Sequence, residues 1–253
     1  MSLEVFPVKA TRKQGKFNLY NEIKKLVEEN GIPIRYGDVI VISSKYVSNS
    51  QGRILDHNSV RPSQKANELS KKFSINDKLS EVIIRESDTI FGGVSGFVIT
   101  SSDNIMAPNA GIDKSNSQGK LILYPYDPYL VAEQIKRKFF LDYGIHIGVI
   151  IVDSRLMPAR VGTTGVAISC SGIEPVLDRR ATTDLDDNVL KVTFQATADN
   201  LASIANHKMG EGDETIPLAI IRNSDAKITD RKINSKEMAV SHDECLYVRG
   251  LKN

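Results

Sequence analysis

The sequence predicts an α/β protein built around a mixed sheet, and three observations predict it. Short β-like runs alternate with helical runs of amphipathic spacing along the whole chain. Residues 146–153 (HIGVIIVD) are apolar on both faces, as a strand in the middle of a covered sheet must be. The composition is ordinary for a globular domain, 41% hydrophobic and 25% charged, which excludes disorder, collagen and coiled coil for the chain as a whole. Its 253 residues suffice for one large or two small units with a real core.

Taken in order, residues 3–8 read as a strand. Leu19, Ile23, Leu26 and Val27 then recur at helical spacing, and Gly31 stands where that helix would stop. Residues 38–43 (DVIVIS) form a second strand. A capped helix is expected over 63–73, and Leu79, Val82 and Ile83 mark the apolar face of another. Residues 97–101 and 121–124 read as strands, separated by a polar loop over 108–118. Pro128 opens a helix that runs towards Asp142 and delivers the chain to the buried strand 146–153. A strand at 189–195, a helix at 198–209 and a strand at 217–221 complete the pattern. No internal repeat, low-complexity tract or linker interrupts it, so 1–253 is read as a single unit.

Several function classes are disfavoured at once. Lysine plus arginine (33) against aspartate plus glutamate (31) leaves a net charge of +2, which gives no overall electrostatic reason to expect nucleic acid. The two cysteines, Cys170 and Cys245, are far apart and lack metal-ligand spacing, so neither a disulfide scaffold nor a zinc site is expected. The longest apolar stretch, 145–152, is far too short to span a membrane. The first residues lack a basic region followed by an apolar run, so the expected compartment is the cytoplasm. No histidine pair has zinc spacing, and no GxSxG elbow follows a strand.

Three acids stand where chemistry is expected. Asp153 ends the buried strand and is followed by Ser154, at the strand edge where open α/β sheets bind ligands. Asp113 lies in the loop after Asn109-Ala110-Gly111-Ile112, and Glu211 follows a helix within Met209-Gly210-Glu211-Gly212-Asp213. Carboxylate and hydroxyl oxygens are hard ligands that suit Mg²⁺ or Mn²⁺ together with phosphate. Any one of these acids alone is more commonly a cap or a turn residue. The segments 92–96 and 162–165 are glycine-rich but match neither GxxxxGK[ST] nor GxGxxG, and Arg160 beside the second is a candidate phosphate or carboxylate contact.

The order of segments resembles the coenzyme F420-0:γ-glutamyl ligase family. The resemblance is carried by Glu4-Val5-Phe6-Pro7-Val8, Gly37-Asp38-Val39, Ser48, Gly52-Arg53 and Glu86-Ser87. It continues through Asn109-Ala110-Gly111-Ile112-Asp113 with Ser115-Asn116, then Gly148-Val149-Ile150-Ile151 with Asp153. Gly162, Gly165, Gly172, Asp178 and Asp184 follow, and Met209-Gly210-Glu211, Pro217 and Arg222 close it. The likeness implies a two-lobed mixed-sheet fold without a P-loop, an intertwined homodimer, and GTP-dependent addition of L-glutamate to the phospholactate carboxylate of coenzyme F420-0. It implies metal ligands at Asp113, Asp153, Ser154 and Glu211. It implies nucleotide contacts at Ser44, Lys45, Asn116, Met209, Gly210, Glu211, Gly212 and Asp213, and basic catalytic groups at Lys45 and Arg160. Mg²⁺ or Mn²⁺ would be the cofactor, K⁺ a further cation, and GTP, glutamate and an F420-0-like acid the only partners besides a second copy. The implied route is an acyl phosphate, made by a carboxylate on the γ-phosphate and opened by the amine of glutamate, with the three carboxylates close enough together to share metal.

The chain also departs from the family pattern. Where that pattern reads Ser-Lys-Ala-Glu-Gly-Arg, this chain has Ser48-Asn49-Ser50-Gln51-Gly52-Arg53, so a cation and an anion are both replaced by amides. After Asp153 the pattern's Gly-Arg pair is replaced by Arg155-Leu156-Met157-Pro158 while Arg160 and Gly162 survive, and the N-terminal stretch that usually reads Pro-Leu-Ile then Gly-Asp-Asp is Arg12-Lys13-Gln14-Gly15-Lys16 here, without the acids. The arginine past Asp184 has become Asn188. These changes open two alternatives: a ligase with another acceptor acid, or a nucleotide- or deazaflavin-binding protein that does not ligate.

Overall fold

The computed structural model describes residues 1–13, 15–115 and 117–251. Strand β1 (Glu4–Val8) leads to helix α1 (Leu19–Glu29), whose first turn is capped by Asn18 accepting from the Asn21 N–H at 3.0 Å. Strand β2 (Val39–Ser43) runs directly into α2 (Ser44–Gln51). Short β3 (Ile54–Leu55) precedes α3 (Gln64–Phe73), capped by Ser63, and α4 (Asp77–Glu86), capped by Asn76. Then come β4 (Thr89–Val94), β5 (Phe97–Ser102), β6 (Ile105–Pro108) and β7 (Leu121–Ile122). Helix α5 (Pro128–Tyr143) starts on proline behind an Asp127 cap. Strands β8 (Gly148–Leu156) and β9 (Thr163–Ser171) form a long hairpin, followed by β10 (Leu177–Asp178) and β11 (Phe194–Gln195). Helix α6 (Thr197–Met209), β12 (Leu218–Arg222) and α7 (Leu246–Gly250) complete the chain.

The main sheet has the order β1-β12-β2-β8-β9; only β2 and β8 are parallel. Its central strands are buried on both faces. Ile40, Ile42, Val149, Ile151, Leu218 and Ile220 point to one side, where α1 and α5 contribute Ile23, Leu26, Ile135 and Phe139. Val39, Val41, Ile150, Val152, Ala219 and Ile221 point to the other, against Leu201, Ala202 and Ala205 of α6. Burying each such aliphatic side chain contributes roughly 1.5–3 kcal/mol relative to exposure, so the alternation fixes the register of the sheet. Arg222 clamps the start of β2, with Nε 2.8 Å from Asp38 Oδ1 and Nη2 2.7 Å from Asp38 Oδ2, a buried bidentate pair.

A third apolar cluster lies in the long crossover between β2 and β8. It joins Phe73, Leu79, Val82 and Ile83 of α3 and α4 to Val98 of β5, Ala110 and Leu121. Val98 joins it to the sheet β4-β5-β6.

Most expected elements are present with shifted ends, and two are not as expected. The strand expected over 121–124 is limited to Leu121 and Ile122, and that over 189–195 to Phe194 and Gln195, with an isolated bridge from Val189 to Thr183. The latter belongs to an arm that folds back on itself through β10 and β11 and leaves Leu185, Val189 and Val192 exposed. Alternation is there, but the main sheet offers it no place. Helices α2 and α7 and strands β3, β4, β6, β9 and β10 are additions to the sequence reading.

Candidate active site

Because β2 and β8 are parallel neighbours, with Ser43 opposite Val152, the chain leaves both at the same sheet edge. Helix α2 begins there at Ser44, while β8 continues through Asp153, Ser154 and Arg155 paired to β9. The Ser44 hydroxyl consequently reaches Asp153 and donates to its Oδ1 at 2.5 Å. A cleft of about 500 Å³ opens at this edge, the usual ligand position of an open α/β sheet. Its other walls are the segment after β1, the loop that carries Asp113, and the turn after α6.

Asp113 arrives on the loop that follows β6 and is fixed by backbone bonds in both directions to Ile122. Its carboxylate accepts from the Ser115 N–H at 2.5 Å and lies 2.6 Å from Lys45 Nζ on α2. Burial works against its ionisation, but Lys45 and the Ser115 donors outweigh it and hold the carboxyl below the usual carboxylate range. Lys45 also donates to Ser115 Oγ at 2.7 Å.

Glu211 enters from the end of α6. Gly210 breaks that helix with φ of +78° and ψ of 176°, a backbone conformation open essentially to glycine alone. Glu211 Oε1 accepts from Ser154 Oγ at 2.6 Å and from Asn206 Nδ2 at 2.8 Å. Thr163 Oγ1 on β9 adds a contact at 3.3 Å. Met209 splits its role: it borders the cleft, but its side chain is buried in the cluster under α6. Gly212 and Asp213 line the cleft, with the Gly212 N–H turned to Glu214 at 2.8 Å.

The structure thus brings Lys45, Asp113, Asp153, Ser154, Met209, Gly210, Glu211, Gly212 and Asp213 to one cleft; Ser44 does not line it and, buried behind it, reaches it only through its hydrogen bond to Asp153. Asn116 lies outside the described residues. Arg160 is not brought there: it sits exposed in the β8–β9 turn and does not line the cleft. The buried guanidinium at this place belongs to Arg155, with Nη2 3.0 Å from Asp153 Oδ2. Sequence reasoning passed over Arg155, although residues i and i+2 of a strand share a face and Asp153 already pointed there. Thr163 and Asn206 were missed too, for want of any motif.

The expectation that the three acids stand within a few ångströms of one another is not met. Among the described residues no group of three His, Cys, Asp or Glu side chains is placed to hold a metal ion. Like charges repel, and each carboxylate has its own protein partner: Asp113 has Lys45, Asp153 has Ser44 and Arg155, and Glu211 has Ser154. In chemistry the donor set still fits a hard divalent cation, since hydroxyl and carboxylate oxygens from three elements face one cleft.

Two other residues of the departing Ser-x-x-x-Gly-Arg stretch separate in function. Asn49 lines the cleft, and its Oδ1 is buried without a hydrogen-bond partner among the described residues. Gln51 does not line it; its Nε2 donates to Tyr126 O at 2.7 Å and its Oε1 accepts from Tyr126 N at 2.8 Å. Arg53 ties the same stretch to α4 through an ion pair with Glu86.

Comparison with known proteins gives one answer. The sequence profile of the F420-0:gamma-glutamyl ligase family matches residues 9–223. Coenzyme F420:L-glutamate ligase of Methanocaldococcus jannaschii is 38% identical over 201 residues, 79% of this chain and 81% of that protein. The proteins of the same name from Methanopyrus kandleri and Archaeoglobus fulgidus are 34% and 32% identical, covering 87% and 88% of each chain respectively.

Proposed function

The chain belongs to the F420-0:gamma-glutamyl ligase family, and from that premise we propose that it joins L-glutamate to the phospholactate carboxylate of coenzyme F420-0 at the cleft beside β2 and β8, with GTP and a divalent cation. It is an amide-forming ligase. The observation that carries the site is the convergence of Asp113, Asp153, Ser154, Glu211 and Lys45 on one sheet edge.

In this reading a carboxylate oxygen of the acceptor attacks the γ-phosphorus of GTP, and GDP leaves. The amine of glutamate, having lost one proton, then attacks the acyl carbon; the C–O bond to phosphate breaks and the nitrogen sheds a second proton. Phosphoryl transfer asks mainly for alignment and charge neutralisation. Asp113, Asp153, Ser154 and Glu211 would hold Mg²⁺ or Mn²⁺, which when bound would neutralise phosphate charge, and K⁺ would be a further cation. Lys45, freed from Asp113, would swing its ammonium to the phosphates. The turn around Gly210, Gly212 and Asp213 would border the nucleotide, and the hydroxyl of Ser44 keeps Asp153 in place.

Two further parts belong to the same reading. The chain acts as a homodimer, supported by an arm that exposes Leu185, Val189, Val192 and Phe194. It works in the cytoplasm on small molecules; no described helix is long and apolar enough to cross a membrane. The unpaired Asn49 Oδ1 in the cleft favours a second reading, the same chemistry on a different acceptor acid.

The test is an assay of the purified chain with GTP, Mn²⁺, L-glutamate and F420-0. One GDP and one phosphate released per glutamate added, seen as a mass increase of the acceptor, is the expected result. GTP turnover only with another acid supports the second reading. No nucleotide binding or turnover with any acid defeats both.

A further inference from the structure

The protein holds the Glu211 carboxylate by one oxygen. Its Oε1 accepts from Ser154 Oγ on β8 at 2.6 Å and from Asn206 Nδ2 on α6 at 2.8 Å, with Thr163 Oγ1 of β9 at 3.3 Å. No bond from a described residue falls on Oε2, and the residue is exposed at the wall of the cleft. A carboxylate oxygen has about two lone-pair sites, so these donors fill Oε1 and leave Oε2 open.

The hairpin and the helix are shaped to bring this about. Ser154 pairs across the hairpin with Gly165. Helix α6 lies directly on that glycine: a Cβ there would stand 2.5 Å from Asn206 Cβ and 2.7 Å from the Ala202 carbonyl oxygen. Ser203, one turn before Asn206, ties the helix down by donating to the Gly165 carbonyl at 2.7 Å. Asn206 is thereby set beside Ser154, with Oδ1 3.4 Å from the Ser154 hydroxyl and Nδ2 turned to Glu211. Only the amide nitrogen can face a carboxylate, which accepts and does not donate.

We infer that Asn206 is a positioning residue of the cation site. By filling Oε1 together with Ser154 it leaves Glu211 a single oxygen to offer, and this favours a small ion such as Mg²⁺ or Mn²⁺ over Ca²⁺. The inference rests on Glu211 being a cation ligand in the function proposed above. Ser154 fits the same scheme, since its proton goes to Glu211 and its lone pairs stay free for the cation. Ca²⁺ readily takes both oxygens of a carboxylate and accepts a larger, looser ligand set, whereas Mg²⁺ demands a small and regular one.

The experiment titrates Mn²⁺ and Ca²⁺ by calorimetry into the unaltered chain, Asn206→Leu, Asn206→Ala, Glu211→Gln and the double variant Asn206→Leu with Glu211→Gln. Leucine is close to asparagine in size and lacks the donor; alanine suits a helix and serves if leucine does not fold. Groups that orient a ligating side chain carry about ten- to hundredfold in metal affinity, so the Mn²⁺ Kd should rise by that factor in both Asn206 variants. The Ca²⁺ Kd should move by less than about threefold, because a freed carboxylate can offer Ca²⁺ both oxygens. In the Glu211→Gln background the Asn206 change should add less than about twofold, since both act through one carboxylate. An asparagine that merely supports the fold would weaken both ions alike and add its full factor to that of Glu211→Gln. That result overturns the inference, as does unchanged Mn²⁺ affinity in the Asn206 variants or an unaltered chain that binds no Mn²⁺. If the ions respond as expected and the chain ligates no acid, the ligase reading fails and the positioning role stands. If the chain ligates with GTP and Mn²⁺ while the Asn206 variants bind Mn²⁺ normally, the reverse holds.

Discussion

Lys45 Nζ lies 2.6 Å from Asp113 Oδ2, so a helix that leaves the main sheet and a loop that crosses from the β4-β5-β6 region meet through opposite charges at the cleft. A divalent cation arriving at Asp113 has to compete with that ammonium.

The competition gives the first prediction. Asp113→Asn, Asp153→Asn and Glu211→Gln should each weaken Mn²⁺ binding by about tenfold or more, since each removes an anionic hard ligand. Lys45→Met should not weaken it, and should tighten it if anything, while GTP turnover falls. Calorimetric titration with Mn²⁺ measures both. Unchanged Mn²⁺ affinity in all three acid variants would return these residues to caps and turns.

Why these residues were legible and Arg155 was not is a matter of what repeats locally. Asp153 ends an apolar run that the sequence marks unmistakably as buried, and Glu211 follows a helix with a glycine stop, so both could be read directly as residues of interest, although β8 itself runs on to Leu156. That Asp113 faces them depends on a crossover of about a hundred residues, which no local pattern encodes; only the family likeness placed it. Arg160 and Arg155 differ by five positions in a hairpin, and the choice between them turns on where β8 stops pairing. Periodicity set that end at Asp153, whereas β8 is held to Leu156 by β9, a strand the sequence reading lacked. The strand expected at 189–195 failed for the opposite reason: its alternation is real, but no core face receives it.

The second prediction concerns thiols. Cys170 sits on β9 in the cluster under α6, and burial pushes its thiol up to about 12. Since the thiolate is the reactive form, Cys170 should be inert near neutral pH, while the partly exposed Cys245 reacts. Titration with a chromogenic disulfide should label one thiol per folded chain and two in denaturant. Two thiols labelled at equal rates in the folded chain would contradict the burial.

Stability against pH supplies the third. Glu81 of α4 accepts from the Ser63 N–H at 2.9 Å and from Arg85 Nε at 2.8 Å. The Ser63 donors first, then Arg85, hold its carboxyl below the usual glutamate range. A carboxyl lowered on folding stabilises the fold above its unfolded pKa and loses that contribution as pH falls through the folded one. Glu81→Gln should therefore cost about 1 kcal/mol at pH 7, a charge-assisted bond discounted for its exposed arginine partner. Urea unfolding at several pH values should show the gap between the two proteins closing as pH drops below the unfolded glutamate value of about 4.3. A gap that widens in acid would mean the sign is wrong.

The last prediction separates two amides that sequence comparison treats alike. Asn49 and Gln51 stand where the family pattern has lysine and glutamate, and restoring both would look like restoring one site. The geometry divides them. Gln51 holds the Tyr126 backbone with one donor and one acceptor, at 2.7 and 2.8 Å. A glutamate there could still accept from the Tyr126 N–H, but would set a carboxylate against the Tyr126 carbonyl. Gln51→Glu should therefore lower stability, by about 1 kcal/mol at this half-buried position, and leave the acceptor KM near its starting value. Asn49 instead borders the cleft with an unpaired Oδ1, so Asn49→Lys places a new cation and a long stem among the substrates. A charge-assisted hydrogen bond made or broken there is worth roughly 1.5–3 kcal/mol, about ten- to a hundredfold in an equilibrium constant. Steady-state assays with F420-0 varied should show the acceptor KM shifting by that factor in Asn49→Lys, downward if F420-0 is the natural acceptor of a lysine-bearing site, with Mn²⁺ affinity unmoved. An acceptor KM that responds to Gln51→Glu and ignores Asn49→Lys would show that the cleft recognises its acid from the Tyr126 side, and the roles assigned to the two amides would be wrong.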